Sequence, residues 1–305
     1  MNQREWALPV YTILLQLATG SLLALWVIRA IGAKVGSEEM DRMVSRLTAV
    51  IWGTLVVAMV GAHLHLSRPW LSFLALRNIG SSWLSREIFF TVLFFLALSA
   101  LAALQWFVRG YPKLQTILGW AAITCGLVSI FCMSVLYLMP TQPAWDSAFT
   151  IISFFATTVL LGAVSVPTML VLELRFSELR QPDAQNVRPA MIRPALGWFA
   201  AIAFVLMLVL LILNLAQILL LQSGNELARL SLQLLLGLYR PLFVVRLVLL
   251  LVGVGWLVFT VQFFRQRVKK ITELMLPVYM ACLLVLVSEI LGRFLFYAMH
   301  IRLGL

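Results

Sequence analysis

The chain has 305 residues, of which 62% are hydrophobic and 11% charged, with a mean hydropathy of +1.00. This composition excludes a soluble globular domain and predicts an all-α membrane protein. The net charge of +11 is spread over the connections between apolar stretches, so it reads as topological charge and excludes nucleic acid as a partner.

A helix crosses the hydrocarbon with about 20 apolar residues, and the sequence offers a bundle of about eight such stretches. The first, about residues 8–31, carries Gln16 and Gly20; it is longer than a signal-peptide core and lacks an A-x-A site, so it is read as a retained span. The second, about 45–67, ends in AHLHLSRPW with His63 and His65. Between it and the third span lies RPWLSFLALRNIGSSWLS, too apolar for a free loop and too short to cross. Trp70, Phe73, Leu74 and Arg77 fall at helical spacing there, predicting a short interfacial helix anchored by tryptophan.

The third span, about 87–108, opens on Glu87, and the fourth, about 114–138, holds Cys125 and Cys132. The fifth, about 147–173, is interrupted by Pro167, and the sixth, about 195–222, carries Asn214. A second amphipathic segment, Asn225 to Pro241, precedes the seventh span, about 241–263, with Arg246. The eighth, about 271–298, holds Cys282, Glu289 and Arg293. The polar connections near 174–194 and 223–240 are too short to build a soluble core, so residues 1–305 form one integral membrane domain.

Loop charges set the orientation. Connections one, three, five and seven hold about 14 Lys and Arg, from Arg29 and Lys34 to Lys269 and Lys270, against about seven on the opposite side. The odd connections are therefore cytoplasmic and both termini external. On this topology the second span delivers His65 to the outer boundary, and Glu87 re-enters the membrane at similar depth. Both interfacial helices are then external.

Ionisable residues in a membrane are costly and ask for a reason. An imidazole that accepts a proton and a carboxylate that passes it on suit oxidation of a membrane-soluble hydroquinone. The residues alone leave a second reading equally open, in which His65 snorkels to the interface and Glu87 caps the third helix. Gln16 and Asn214 either orient a quinone carbonyl or hydrogen-bond between helices. Glu289 precedes Arg293 by one helical turn, which predicts an internal ion pair or, alternatively, a proton path.

Other chemistries find little support. His63 and His65 point apart on a helix, which disfavours a haem. The three cysteines lack cluster or zinc spacing and read as small buried hydrophobes, so no metal or iron–sulfur cluster is expected in this chain. A transporter would show matching broken helices in two halves, and Pro167 has no counterpart.

Glu5, Trp6 and Leu8, Gln16 and Gly20, His65, Leu66 and Pro69, then Gly80, Ser82, Leu84, Ser85, Glu87 and Ile88, and finally Glu289, Gly292, Arg293, Phe296, Tyr297, His300 and Gly304 resemble the membrane-anchor subunit of bacterial dimethyl sulfoxide reductase, the DmsC family. The resemblance covers essentially the whole chain and is carried mainly by its two ends. It implies an inner-membrane subunit that anchors a molybdopterin catalytic subunit and an iron–sulfur electron-transfer subunit, both on the periplasmic side. It further implies menaquinol as the bound substrate, drawn from the lipid and quinone pool, with His65 and Glu87 at the site of its oxidation. A related anchor serving a polysulfide, tetrathionate or selenate reductase would share these features.

Overall fold

The computed structural model describes residues 7–32, 38–65, 69–108, 110–180, 188–264 and 274–301. Side chains at some margins of these segments, including that of His65, lie outside the description. The molecule is a helical bundle. Its elements are α1 (Ala7–Gly32), α2 (Glu38–His65), a 3-10 helix (Pro69–Asn78), α3 (Trp83–Ala103, continued by a π turn at Leu104–Val108) and α4 (Pro112–Leu136). These are followed by α5 (Ala148–Arg180), α6 (Arg188–Ser223), the short α7 (Glu226–Gln233, with a π turn at Leu234–Leu238), α8 (Arg240–Phe264) and α9 (Met275–Ala298). Eight of the helices are long and apolar enough to cross a membrane.

The helices pack as two sets of four. In the first, α1 lies against α2 and α4, and α3 against α2 and α4; in the second, α5 lies against α6 and α9, and α8 against the same two. The sets meet chiefly where α1 faces α5, and these are the two most buried spans, at 72% and 67% against 28–44% for the rest. Lipid offers no hydrophobic force to press helices together, so close backbone approach and polar contacts must do it. The seam is built that way: a Cβ on Gly20 would overlap the Thr158 carbonyl, one on Gly162 would overlap Gly20, and the Ser21 and Ser165 hydroxyls meet at 2.7 Å. The opposite faces carry exposed Trp198, Ile212 and Leu215 of α6 and Ile117 of α4, as lipid-facing surfaces do.

The third span begins at Trp83, four residues before the start expected from hydropathy. Ser82 is its cap: its hydroxyl accepts from the Ser85 amide at 3.4 Å. Arg86 secures the preceding turn by donating to the carbonyls of Ile79 (2.9 Å) and Gly80 (2.7 Å) while lying 4.3 Å over the Trp83 ring. Glu87 therefore neither opens nor caps α3. It sits one turn inside. The polar SSWLS motif is the start signal, and the apolar Trp83 and Leu84 simply begin the helix. Both predicted interfacial segments do form short helices, as Pro69–Asn78 and Glu226–Gln233. The latter is capped by Asn225, which accepts from the Ala228 amide at 3.0 Å.

Candidate functional site

With eight spans in antiparallel sequence, one end of the bundle gathers the start of α1, the end of α2, the start of α3, the end of α4, the start of α5 and the end of α9. Polar side chains concentrate in the interior of this end.

Glu87 of α3 is 5% exposed, and its carboxylate Oε1 accepts from the Tyr11 hydroxyl of α1 at 3.0 Å. The Tyr11 oxygen also lies 3.3 Å from Thr91 Oγ1, which is 2.6 Å from Ser129 Oγ of α4. Ser129 in turn reaches the Glu87 carbonyl at 3.4 Å. Three helices thus close a loop of hydroxyls around one carboxylate. Burial of a carboxylate in apolar surroundings is tolerated only where such donors replace water.

His65 is the last residue of α2, at the same end of the bundle and on the helix that packs against α3; its side chain is outside the described residues. His63 is exposed, with Nδ1 2.8 Å from the Met59 carbonyl, a bond local to its own helix.

Next to this pocket stands an aromatic cluster. The Tyr137 and Tyr297 hydroxyls meet at 2.6 Å, Trp145 donates its indole N–H to the Phe296 carbonyl at 2.7 Å, and the His300 ring stacks on Trp145 at 4.9 Å. Tyr137 caps the end of α4, and its ring packs edge-on against Trp145, Phe296 and Tyr297.

Deeper in the bundle, Gln16 is fully buried and engaged at both ends of its amide. It donates to the Phe154 carbonyl at 2.8 Å and accepts from the Arg293 guanidinium at 2.9 Å, which itself lies 3.7 Å over the Phe154 ring. Glu289 accepts from Thr157 at 2.6 Å. The direct Glu289–Arg293 pairing predicted from their spacing is not among the ion pairs of the described residues. Helix spacing brings two side chains to one face, but each is drawn to a partner on a facing helix, Gln16 for one and Thr157 for the other. Asn214 joins helices through one of its two bonds, accepting from Arg246 of α8 at 2.9 Å while donating to the Leu210 carbonyl of its own helix at 2.6 Å.

The described residues contain no group of three or more His, Cys, Asp or Glu placed to hold a metal ion, and the cysteines are free. Sequence reasoning singled out Glu87 and Gln16 but not Tyr11, Thr91, Ser129 or Thr157. These are common residue types in apolar helices, and only their convergence on a charge marks them.

The DMSO reductase anchor subunit (DmsC) family model matches residues 1–299. This protein belongs to that family. Among similar proteins, the anaerobic dimethyl sulfoxide reductase subunit YnfH of Escherichia coli K12 is 29% identical over 99% of this sequence and 96% of its own length. The C subunit of the anaerobic dimethyl sulfoxide reductase of Haemophilus influenzae is 28% identical over 100% and 99%, and its E. coli K12 counterpart is 24% identical over 99% and 96%. This DmsC family member is a multi-pass membrane protein with a buried carboxylate held where α1, α3 and α4 meet.

Proposed function

We propose that this DmsC family member oxidises menaquinol and passes the electrons to an iron–sulfur subunit of a reductase of the dimethyl sulfoxide type, while anchoring that subunit and its molybdopterin partner. The observation that carries the reading is Glu87: a carboxylate 5% exposed, held by Tyr11 at 3.0 Å, in the helix that follows the one ending at His65.

Quinol oxidation releases two electrons and two protons. His65 accepts a proton from a quinol hydroxyl through its neutral imidazole, and Glu87 receives or balances it from a fixed position. Tyr11 keeps the carboxylate in place; with Thr91 and Ser129 behind it, the carboxylate needs no water shell to remain buried. The two electrons leave for the nearest iron–sulfur cluster of the partner, which must dock at the same end of the bundle. The loop-charge bias supports a periplasmic position for that end and both termini, and the partners that dock there would then lie on the same side of the bacterial inner membrane.

His65→Arg in the complex with its native partners tests the reading. A menaquinol analogue should reduce the partner clusters in the parent complex and fail to do so in the variant, with assembly intact. Unchanged reduction in the variant refutes it.

A further inference from the structure

A second polar chamber lies in the other half of the bundle, between α5, α6, α8 and α9. Its volume is about 100 Å³, and its lining includes Thr157, Asn214, Gln217, Arg246, Glu289 and Arg293. The charged groups that face it are Arg246 from α8 and Glu289 and Arg293 from α9; α5 and α6 contribute uncharged amides and hydroxyls. Gly292 makes the arrangement fit, since a Cβ there would overlap the Arg246 guanidinium.

Three polar atoms on these ionic side chains are buried without a partner in the protein: Glu289 Oε1, Arg246 Nε and Arg293 Nε. Glu289 and Arg293 are themselves 3% and 6% exposed. Buried polar atoms in native proteins are normally paired, and a polar cavity of sufficient volume is where water supplies the pair. The space is ample for water, which needs only about 10–15 Å³ of such volume per molecule. Chemistry selects the occupant: an anion would satisfy the two Nε–H donors but face the Glu289 oxygen, whereas water accepts from the donors and donates to the carboxylate.

We infer that this chamber is a hydrated proton-accepting site, in which Glu289, bridged by water to Arg246 and Arg293, takes up one of the two protons that quinol oxidation releases. The arginines stay charged throughout, which leaves Glu289 as the one ionic group of the lining that can gain and return a proton. The chamber is tied to the Glu87 pocket through α1: Arg293 bonds Gln16, and Tyr11 on the same helix bonds Glu87. One turn beyond Arg293, Tyr297 meets the Tyr137 hydroxyl. The two halves of the bundle would then each supply one acceptor. The inference rests on the quinol reading for the origin of the proton.

Two measurements on the complete complex in lipid nanodiscs test it. Infrared difference spectra between the oxidised and the quinol-reduced parent complex, recorded in H₂O and D₂O, should contain a protonated-carboxyl C=O band that shifts in D₂O and is missing from Glu289→Gln. Cluster reduction in the parent with no Glu289-dependent carboxyl band overturns the inference. In turnover, Glu289→Gln should slow cluster reduction by the menaquinol analogue on the order of 10²-fold, with the binding constant of a quinol analogue unchanged and Glu289→Asp restoring most of the rate. A Glu289→Gln complex that assembles and runs at the parent rate overturns the inference alone. A parent complex that does not oxidise the analogue refutes the quinol reading, and with it the source of the proton.

Discussion

The Tyr11 hydroxyl donates to the Glu87 carboxylate at 3.0 Å, joining the first helix to the third across 76 positions of sequence. Glu87 is buried and Tyr11 is 6% exposed, so no bulk water competes for the bond.

Tyr11→Phe removes that donor and leaves the ring volume. A buried acceptor stripped of its partner costs about 1–3 kcal/mol, and more when it is charged. The variant should unfold at lower temperature by intrinsic fluorescence and oxidise a quinol analogue more slowly, because Glu87 is no longer fixed. Parent values in both measurements would remove Tyr11 from the site.

Glu87→Gln keeps shape and loses the proton-accepting group. Loss of a positioned acid–base group costs roughly 10²–10⁴ in rate, and the hydrogen bond with Tyr11 can persist through the amide oxygen. Cluster reduction by quinol should therefore collapse while thermal stability stays near the parent. A large stability loss with little change in rate would assign Glu87 to structure.

Gln16→Leu should act in the opposite sense. It strips the Arg293 guanidinium of its acceptor at 2.9 Å and the Phe154 carbonyl of its donor at 2.8 Å, and hydrogen bonds to charged groups are worth about 1.5–3 kcal/mol. The thermal midpoint should fall, and Gln16→Glu, which retains an acceptor for Arg293, should recover part of it. Equal midpoints for both variants would refute the role.

The α1/α5 seam predicts strong sensitivity to single methyl groups. Gly20→Ala or Gly162→Ala places a Cβ against the backbone of the facing helix, and overpacking of a filled interface typically costs about 1–3 kcal/mol. Each should reduce the yield of folded protein in the membrane. Gly53→Ala, where a Cβ meets nothing within 4 Å, should be silent.

Much of the architecture was legible from hydropathy. A span demands about 20 apolar residues whatever surrounds it, so the eight predicted stretches reappear with their ends moved by a few residues. The largest consequence lies at the third, where Ser82 and not Glu87 marks the start. That shift moved Glu87 from the boundary into a buried cluster of hydroxyls. Glu289 and Arg293 show the converse limit: one helix face was read correctly, yet the partners lie on α5 and α1.

Hydropathy and residue type already show a protein that crosses a membrane about eight times, the residues that are expensive there and, through motifs at its two ends, the family it resembles. Which of those residues have partners is a matter of packing. Hydropathy cannot supply this, because the lipid-facing and core-facing sides of a membrane helix are both apolar and the pattern does not say which way a helix is turned. Tyr11, Thr91, Ser129 and Thr157 became visible only when the rotation of α1, α3, α4 and α5 was fixed, since a hydroxyl gains significance in lipid from the charge it meets.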